Sequence, residues 1–224
     1  MAYTLLSPNH SGLRTEQIDR ISPHCVVGQC TAEGLGDWFH KSSTQASSNY
    51  GIDKNGRIGL YVEEKNRSWC TSSNANDQRA VTIECASDRA EPYAMQQVVY
   101  ERLVDLCEDI CRRNGKKKLL WFGDKNKSLN YQPKADEMLI TVHRWFANKS
   151  CPGDWLYARL GDLAAKVTSR LGSGNVEVIP SGMQAREFRN LTEAQVVAKV
   201  GALFTADQKK SGILASVSMA QFIL

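Results

Sequence analysis

The sequence predicts an α/β fold: a mixed central β-sheet flanked by helices, with a short helical C-terminal extension. Three observations predict it. Short apolar runs rich in β-branched residues recur between Pro, Gly and Asn breakers, as in ISPHCVVG, RIGLYV and AVTIECA. Longer stretches with apolar residues at helical spacing lie between them, notably Pro92 to Asn114 and Trp155 to Leu171. From Leu191 onward the composition turns Ala-rich and helical, without a tryptophan.

The elements follow in order. Residues 1–20 read as a polar loop broken by Pro8, Asn9 and Gly12. Ile21 to Cys30 reads as a buried strand with His24 at its start. Thr31 to Lys41 carries helix-start signals, Thr31 as N-cap and Glu33 in the first turn, with Trp38 and Phe39 both facing the core. After a Ser-rich loop, Asn55-Gly56 joins YGID to RIGLYVEE as a hairpin whose first strand is headed by Tyr50. Lys65 to Gln78 reads as a loop anchored by Trp69, and Ala80 to Ala86 as a strand. The helix from Pro92 to Asn114 ends on Arg112 and Arg113, which complement its dipole, and on Gly115. Lys116 to Lys118 read as a solvated edge before a strand at LLWFG, and Asn126 to Asp136 as a loop. The segment from Glu137 to the Pro152-Gly153 stop reads as helical, and a further helix runs from Trp155 to Leu171. Residues 1–171 then form one domain, and 172–190 a linker opened by Gly172-Ser173-Gly174. Residues 191–224 read as the helical start of a second domain, cut on the apolar run AQFIL.

Composition narrows the functional classes. The chain has 224 residues, 23% charged and 42% hydrophobic, so it can build a core without disulfides. A net charge of +4 is too weak to argue for nucleic acid but suits an anionic polymer such as a bacterial cell wall. The seven cysteines show no evenly spaced framework and read as reduced thiols, with Cys107 and Cys111 packing on one helix face. No run of 18 apolar residues exists to insert in a membrane, and the N-terminus lacks the basic and apolar regions of a secretory signal.

Chemistry concentrates in TVHRWFANKSCPGD, Thr141 to Asp154. His143 and Cys151 stand eight residues apart, and imidazole and thiolate are common zinc ligands. A third ligand must come from elsewhere, and His24 fits because a strand holds it rigidly. Three protein ligands leave a fourth position for water, the pattern of a catalytic Zn2+ site, and the chemistry is then hydrolysis of an amide or ester. Lys149, two residues before Cys151, can stabilise the oxyanion at the attacked carbonyl. Tyr50 can donate to the same oxygen or orient the water. Glu84, the one carboxylate in the apolar AVTIECA strand, can act as general base. Which of Tyr50, Glu84 and Lys149 moves the proton stays open at this point.

The set ISPHCVVG, SSNYGIDKNGRI, SWC…N…VTIE and TVHRWFANKSCPGD resembles the zinc-dependent N-acetylmuramoyl-L-alanine amidases of the phage-lysozyme and peptidoglycan-recognition-protein superfamily, over roughly residues 20–170. The resemblance implies a Zn2+ held by His24, His143 and Cys151, and transition-state roles for Tyr50 and Lys149. It implies bacterial peptidoglycan as partner and cleavage of the amide between N-acetylmuramic acid and the L-alanine of the stem peptide. It further implies a phage or prophage endolysin, made in the host cytoplasm and acting on the wall after release. A non-hydrolytic recognition module of the same fold is the alternative, against which the presence of Cys151 argues. Many relatives carry His where Cys70 follows Trp69. The tail from Leu191 is similar to the opening of bacterial glucosaminidase domains, and it ends before the glutamate on which their activity depends.

Overall fold

The computed structural model describes residues 3–172. Its strands are β1 (Tyr3–Thr4), β2 (His10–Leu13), β3 (Arg20–Cys25), β4 (Tyr50–Ile52), β5 (Ile58–Leu60), β6 (Asn66–Ser68), β7 (Ala80–Cys85), β8 (Lys118–Leu120) and β9 (Glu137–Ile140). Its α-helices are α1 (Ala32–His40), α2 (Asn74–Arg79), α3 (Gln97–Arg113), α4 (Lys125–Asn130), α5 (Asp154–Tyr157) and α6 (Leu160–Gly172). Seven strands form the main sheet in the order β1-β5-β4-β7-β3-β9-β8, while β2 and β6 pair separately. From β4 to β8 all neighbours are parallel, so these strands end along one edge of the sheet. The mixed sheet with flanking helices is the architecture the sequence predicts.

Alternation along the strands makes two different faces. Ile21, Cys25, Ile52, Val81, Ile83 and Cys85 point into a core closed by Val99, Leu103 and Ile110 of α3 and by Leu160, Leu163 and Val167 of α6. Cys107 and Cys111 are buried in the same core. The other face carries Ser22, His24, Thr82 and Glu84, paired as Ser22 with Thr82 and His24 with Glu84. Buried amides satisfy much of it: Asn49 Oδ1 accepts from the Thr82 backbone, and Asn76 Nδ2 donates to Ser22. At Gly51 this face is pressed by a neighbouring helix, since a Cβ there would lie 2.7 Å from Leu35 of α1.

Several expectations hold. Thr31 Oγ1 caps α1 by accepting from the Gly34 amide. The hairpin joins β4 to β5 with Gly56 at φ +78°, and the Asp53 carboxylate accepts from the Asn55 and Arg57 amides. Others need correction. Within residues 1–20 two short strands form, because β1 adds to the sheet edge and β2 to β6. Trp38 is 56% exposed while its neighbour Phe39 is buried, since adjacent positions on a helix face different ways. The segment 65–78 contains β6 and most of α2, the latter capped by Ser73. Within 126–136 lies most of α4, capped by Asp124. Helix α3 starts at Gln97 rather than Pro92, leaving Val98 exposed near its start. Lys116 is buried, its ammonium donating to the Ala135 carbonyl. Glu137–Ile140 is a strand, fully buried between β3 and β8, where a helix was expected. The helix expected from Trp155 to Leu171 is split into α5 and α6. The expected linker and second-domain start, 172–224, lie outside the described residues from 173 onward. Among the described residues no helix is long and apolar enough to cross a membrane.

Candidate metal centre and active-site cleft

His24 sits near the end of β3, not its start, and this brings it to the edge where the parallel strands terminate. Its register partner is Glu84 of β7, and His24 Nδ1 lies 3.8 Å from Glu84 Oε1. Burial, and then the neighbouring His143, hold the His24 imidazole pKa down at about 3, so the ring is neutral. Burial pushes the Glu84 carboxyl up to about 8, although a bond from the Cys70 thiol at 3.8 Å favours its ionised form. Among the described residues, His24 Nε2 and Glu84 Oε2 have no hydrogen-bond partner.

The second half of the centre arrives after β9. The chain leaves that strand through Val142 into a 3-10 turn, His143–Trp145. Its ring centroid is 5.2 Å from that of His24. Arg144 then ties the following loop back: its amide donates to the Cys151 carbonyl at 3.1 Å, and its guanidinium pairs with Asp154 at 2.9 Å. That clamp returns Cys151 to the cluster eight residues after His143. Cys151 Sγ lies 3.2 Å from His24 Nδ1. A hydrogen bond with the Cys25 thiol, together with burial, pushes the Cys151 thiol up. All seven cysteines are free thiols: Cys25, Cys85, Cys107 and Cys111 are buried, and Cys30, Cys70 and Cys151 are half-buried.

Beside His143 opens a cleft of about 540 Å³, bounded by Arg67, Trp69, Cys70, Ser72 and Lys149 among others. Lys149 is exposed at its rim, and its charge, after desolvation, helps lower the His143 pKa. The opposite wall is the loop between β6 and α2. Asp77 fixes this loop by accepting from the Cys70 and Thr71 amides and from the Thr71 hydroxyl. Ser72 Oγ lies 3.0 Å from His143 Nε2. Arg144, Ser72 and Asp77 were not anticipated. The adjacency of Arg144 to His143 was a usable signal; Ser72 and Asp77 gave none, because contacts between remote loops leave no mark in local spacing.

Tyr50 is not brought to this cluster. It pairs with Ile83, whereas the next residue, Gly51, pairs with Glu84. Adjacent residues on a strand face opposite ways, so Tyr50 points to the apolar core side. There its hydroxyl meets Glu64 and Arg113, and burial, then Glu64, raises its pKa to about 12. The expected role for Tyr50 at the reacting carbonyl is therefore corrected by the parity of β4.

The donor set suits a borderline-soft metal. His24, His143 and Cys151 each offer a ligand atom, all within 4.8 Å of one another. Tetrahedral zinc with its usual bond lengths sets such donors about 3.3–3.6 Å apart. The 3.2 Å between His24 Nδ1 and Cys151 Sγ is close to that spacing. His24, Cys70 and Glu84 form an overlapping group that shares His24.

Solved structures of similar fold include a mutant endolysin from Bacillus subtilis, with a TM-score of 0.54 at 11% identity, covering 75% of this chain and 98% of that one. The N-acetylmuramoyl-L-alanine amidase LysC from Clostridium intestinale URNW gives 0.53 at 14%, covering 75% and 97%. A selenomethionine derivative of AmpD gives 0.51 at 18%, covering 73% and 94%. At these identities the likeness concerns the fold. Comparison with curated proteins gives no match. A family model described as N-acetylmuramoyl-L-alanine amidase matches residues 14–154. That span is more than half of the chain and takes in β3, β7 and the turn from His143 to Cys151, and the chain belongs to the N-acetylmuramoyl-L-alanine amidase family.

Proposed function

We propose that this chain hydrolyses the amide between the lactyl group of N-acetylmuramic acid and the first L-alanine of the peptidoglycan stem, with a Zn2+ held by His24, His143 and Cys151. The observation that carries this reading is the meeting of three metal-donor side chains beside an open cleft. Zinc bound there supplies an activated water near neutral pH and polarises the carbonyl. The chain's own residues do the rest. The neutral His24 ring is ready to donate a lone pair without first losing a proton. Glu84, beside His24 and with its pKa raised to about 8 by burial, takes the proton of the attacking water in its ionised form and passes it to the leaving L-alanine amine. Lys149, at the cleft rim, offers its ammonium to the carbonyl oxygen as negative charge builds there. Trp69 and Arg67 line the cleft where the stem peptide extends. The biological setting in this reading is lysis of a bacterial host by a phage or prophage enzyme that reaches the wall after release.

The test is product analysis of purified cell walls digested with and without a chelator. New L-alanine amino termini, no new reducing sugars, and loss of the signal in chelator are expected. Wall binding without new termini would replace the hydrolase with a recognition module, and activity unaffected by chelation would remove the metal.

A further inference from the structure

The loop between β6 and α2 is held in an unfavourable backbone shape at one residue. Ser72 has φ +62°, a region that suits glycine and tolerates few other side chains. Glycine at this position would relieve the backbone, yet the chain carries serine. What the serine adds is a hydroxyl, and that hydroxyl lies 3.0 Å from His143 Nε2. The loop is not free to drift away from this contact. Asp77 anchors the two preceding residues through the Cys70 amide, the Thr71 amide and the Thr71 hydroxyl. Ser73 caps α2 directly after it by accepting from the Asn76 amide.

A neutral imidazole has one N–H and one lone pair, and the partner of one nitrogen decides which is which. We infer that Ser72 is a positioning residue for the metal centre, its hydroxyl accepting the Nε2–H of His143 and thereby presenting the Nδ1 lone pair to the ion. His24 also turns Nδ1 toward Cys151, so the two imidazoles meet the ion through the same kind of nitrogen. Outer partners of this kind fix ring orientation, and their loss typically costs ten- to a hundredfold in metal affinity. The inference rests on the metal reading above, and the experiment separates the two.

Zn2+ affinity is measured by competition with a chromogenic chelator for the unaltered protein and for Ser72→Gly, alongside the melting temperature of both without metal. Glycine removes the hydroxyl and relaxes the φ +62° backbone, so the metal-free variant keeps or raises its melting temperature. The expected result is about a tenfold loss of Zn2+ affinity without loss of metal-free stability. Nitrogen NMR of the zinc-loaded, unaltered protein should show His143 protonated at Nε2. Affinity of the glycine variant within about twofold of the parent, or a His143 protonated at Nδ1, overturns the role of Ser72. Failure of the unaltered protein to bind Zn2+ at all overturns the metal reading itself.

Discussion

His24 and Glu84 lie 3.8 Å apart on one sheet face, and the same burial acts on them in opposite directions. The imidazole loses its tendency to take a proton, and the carboxyl gains one. That pairing sets a neutral imidazole beside a group able to carry a proton. Lys149 contributes charge from outside the fold's interior. Lys149→Ala is expected to keep metal content and melting temperature while lowering kcat about a hundredfold, as for loss of one oxyanion donor. Steady-state kinetics with a metal assay checks this. Tyr50 belongs to another network, that of Glu64 and Arg113. Tyr50→Phe should leave turnover within about twofold and cost stability about 1 kcal/mol, readable by denaturant unfolding. His24 and Glu84 stand out in the sequence because ionisable side chains are costly in apolar strands, and His143, Lys149 and Cys151 because they crowd into one short segment. Tyr50 was misplaced because its motif gives its position along the chain but not the parity of its strand.

Elements explain which parts of the fold the sequence showed. Strand β7 and helices α1 and α3 carry strong local signals: an apolar β-branched run, a Thr31 cap, and a long amphipathic period closed by arginines. Strand β9 does not. Met138, Leu139 and Ile140 are apolar on both faces of the strand, which β3 and β8 flank in parallel, and such a run fits a helical period equally well. Helices α2 and α4 are six residues each and polar, so side-chain caps and tertiary contacts define them rather than periodicity. The loop ahead of α2 depends on one carboxylate. Asp77→Ala would leave the buried Thr71 hydroxyl and two amides without their acceptor. The expected cost is about 2–4 kcal/mol, measured by denaturant unfolding.

The centre exists only when the whole sheet is assembled, since His24 precedes Cys151 by most of the described chain. Folding and site chemistry are therefore linked. His24 is held below its ordinary pKa in the folded protein, so in chelator the unfolded state takes up a proton that the folded state refuses. Its contribution is complete above the unfolded value near 6.5 and declines as pH falls toward about 3. Above about pH 4.5 the raised pKa of Glu84 acts in the opposite sense, so the test lies below it: thermal melts of the metal-free protein between about pH 3 and 4.5 should show melting temperature rising with pH, and a flat profile there would contradict the neutral, buried state of His24. The distribution of thiols has a practical side. Four of the seven are sealed in the core, and of the three half-buried ones, Cys70 and Cys151 border the centre. A thiol-reactive dye applied to the native protein at raised pH would report on occupancy: an ion held by Cys151 would withdraw that sulfur from labelling, and its removal would return one slowly reacting thiol, since the Cys25 thiol and burial keep it protonated.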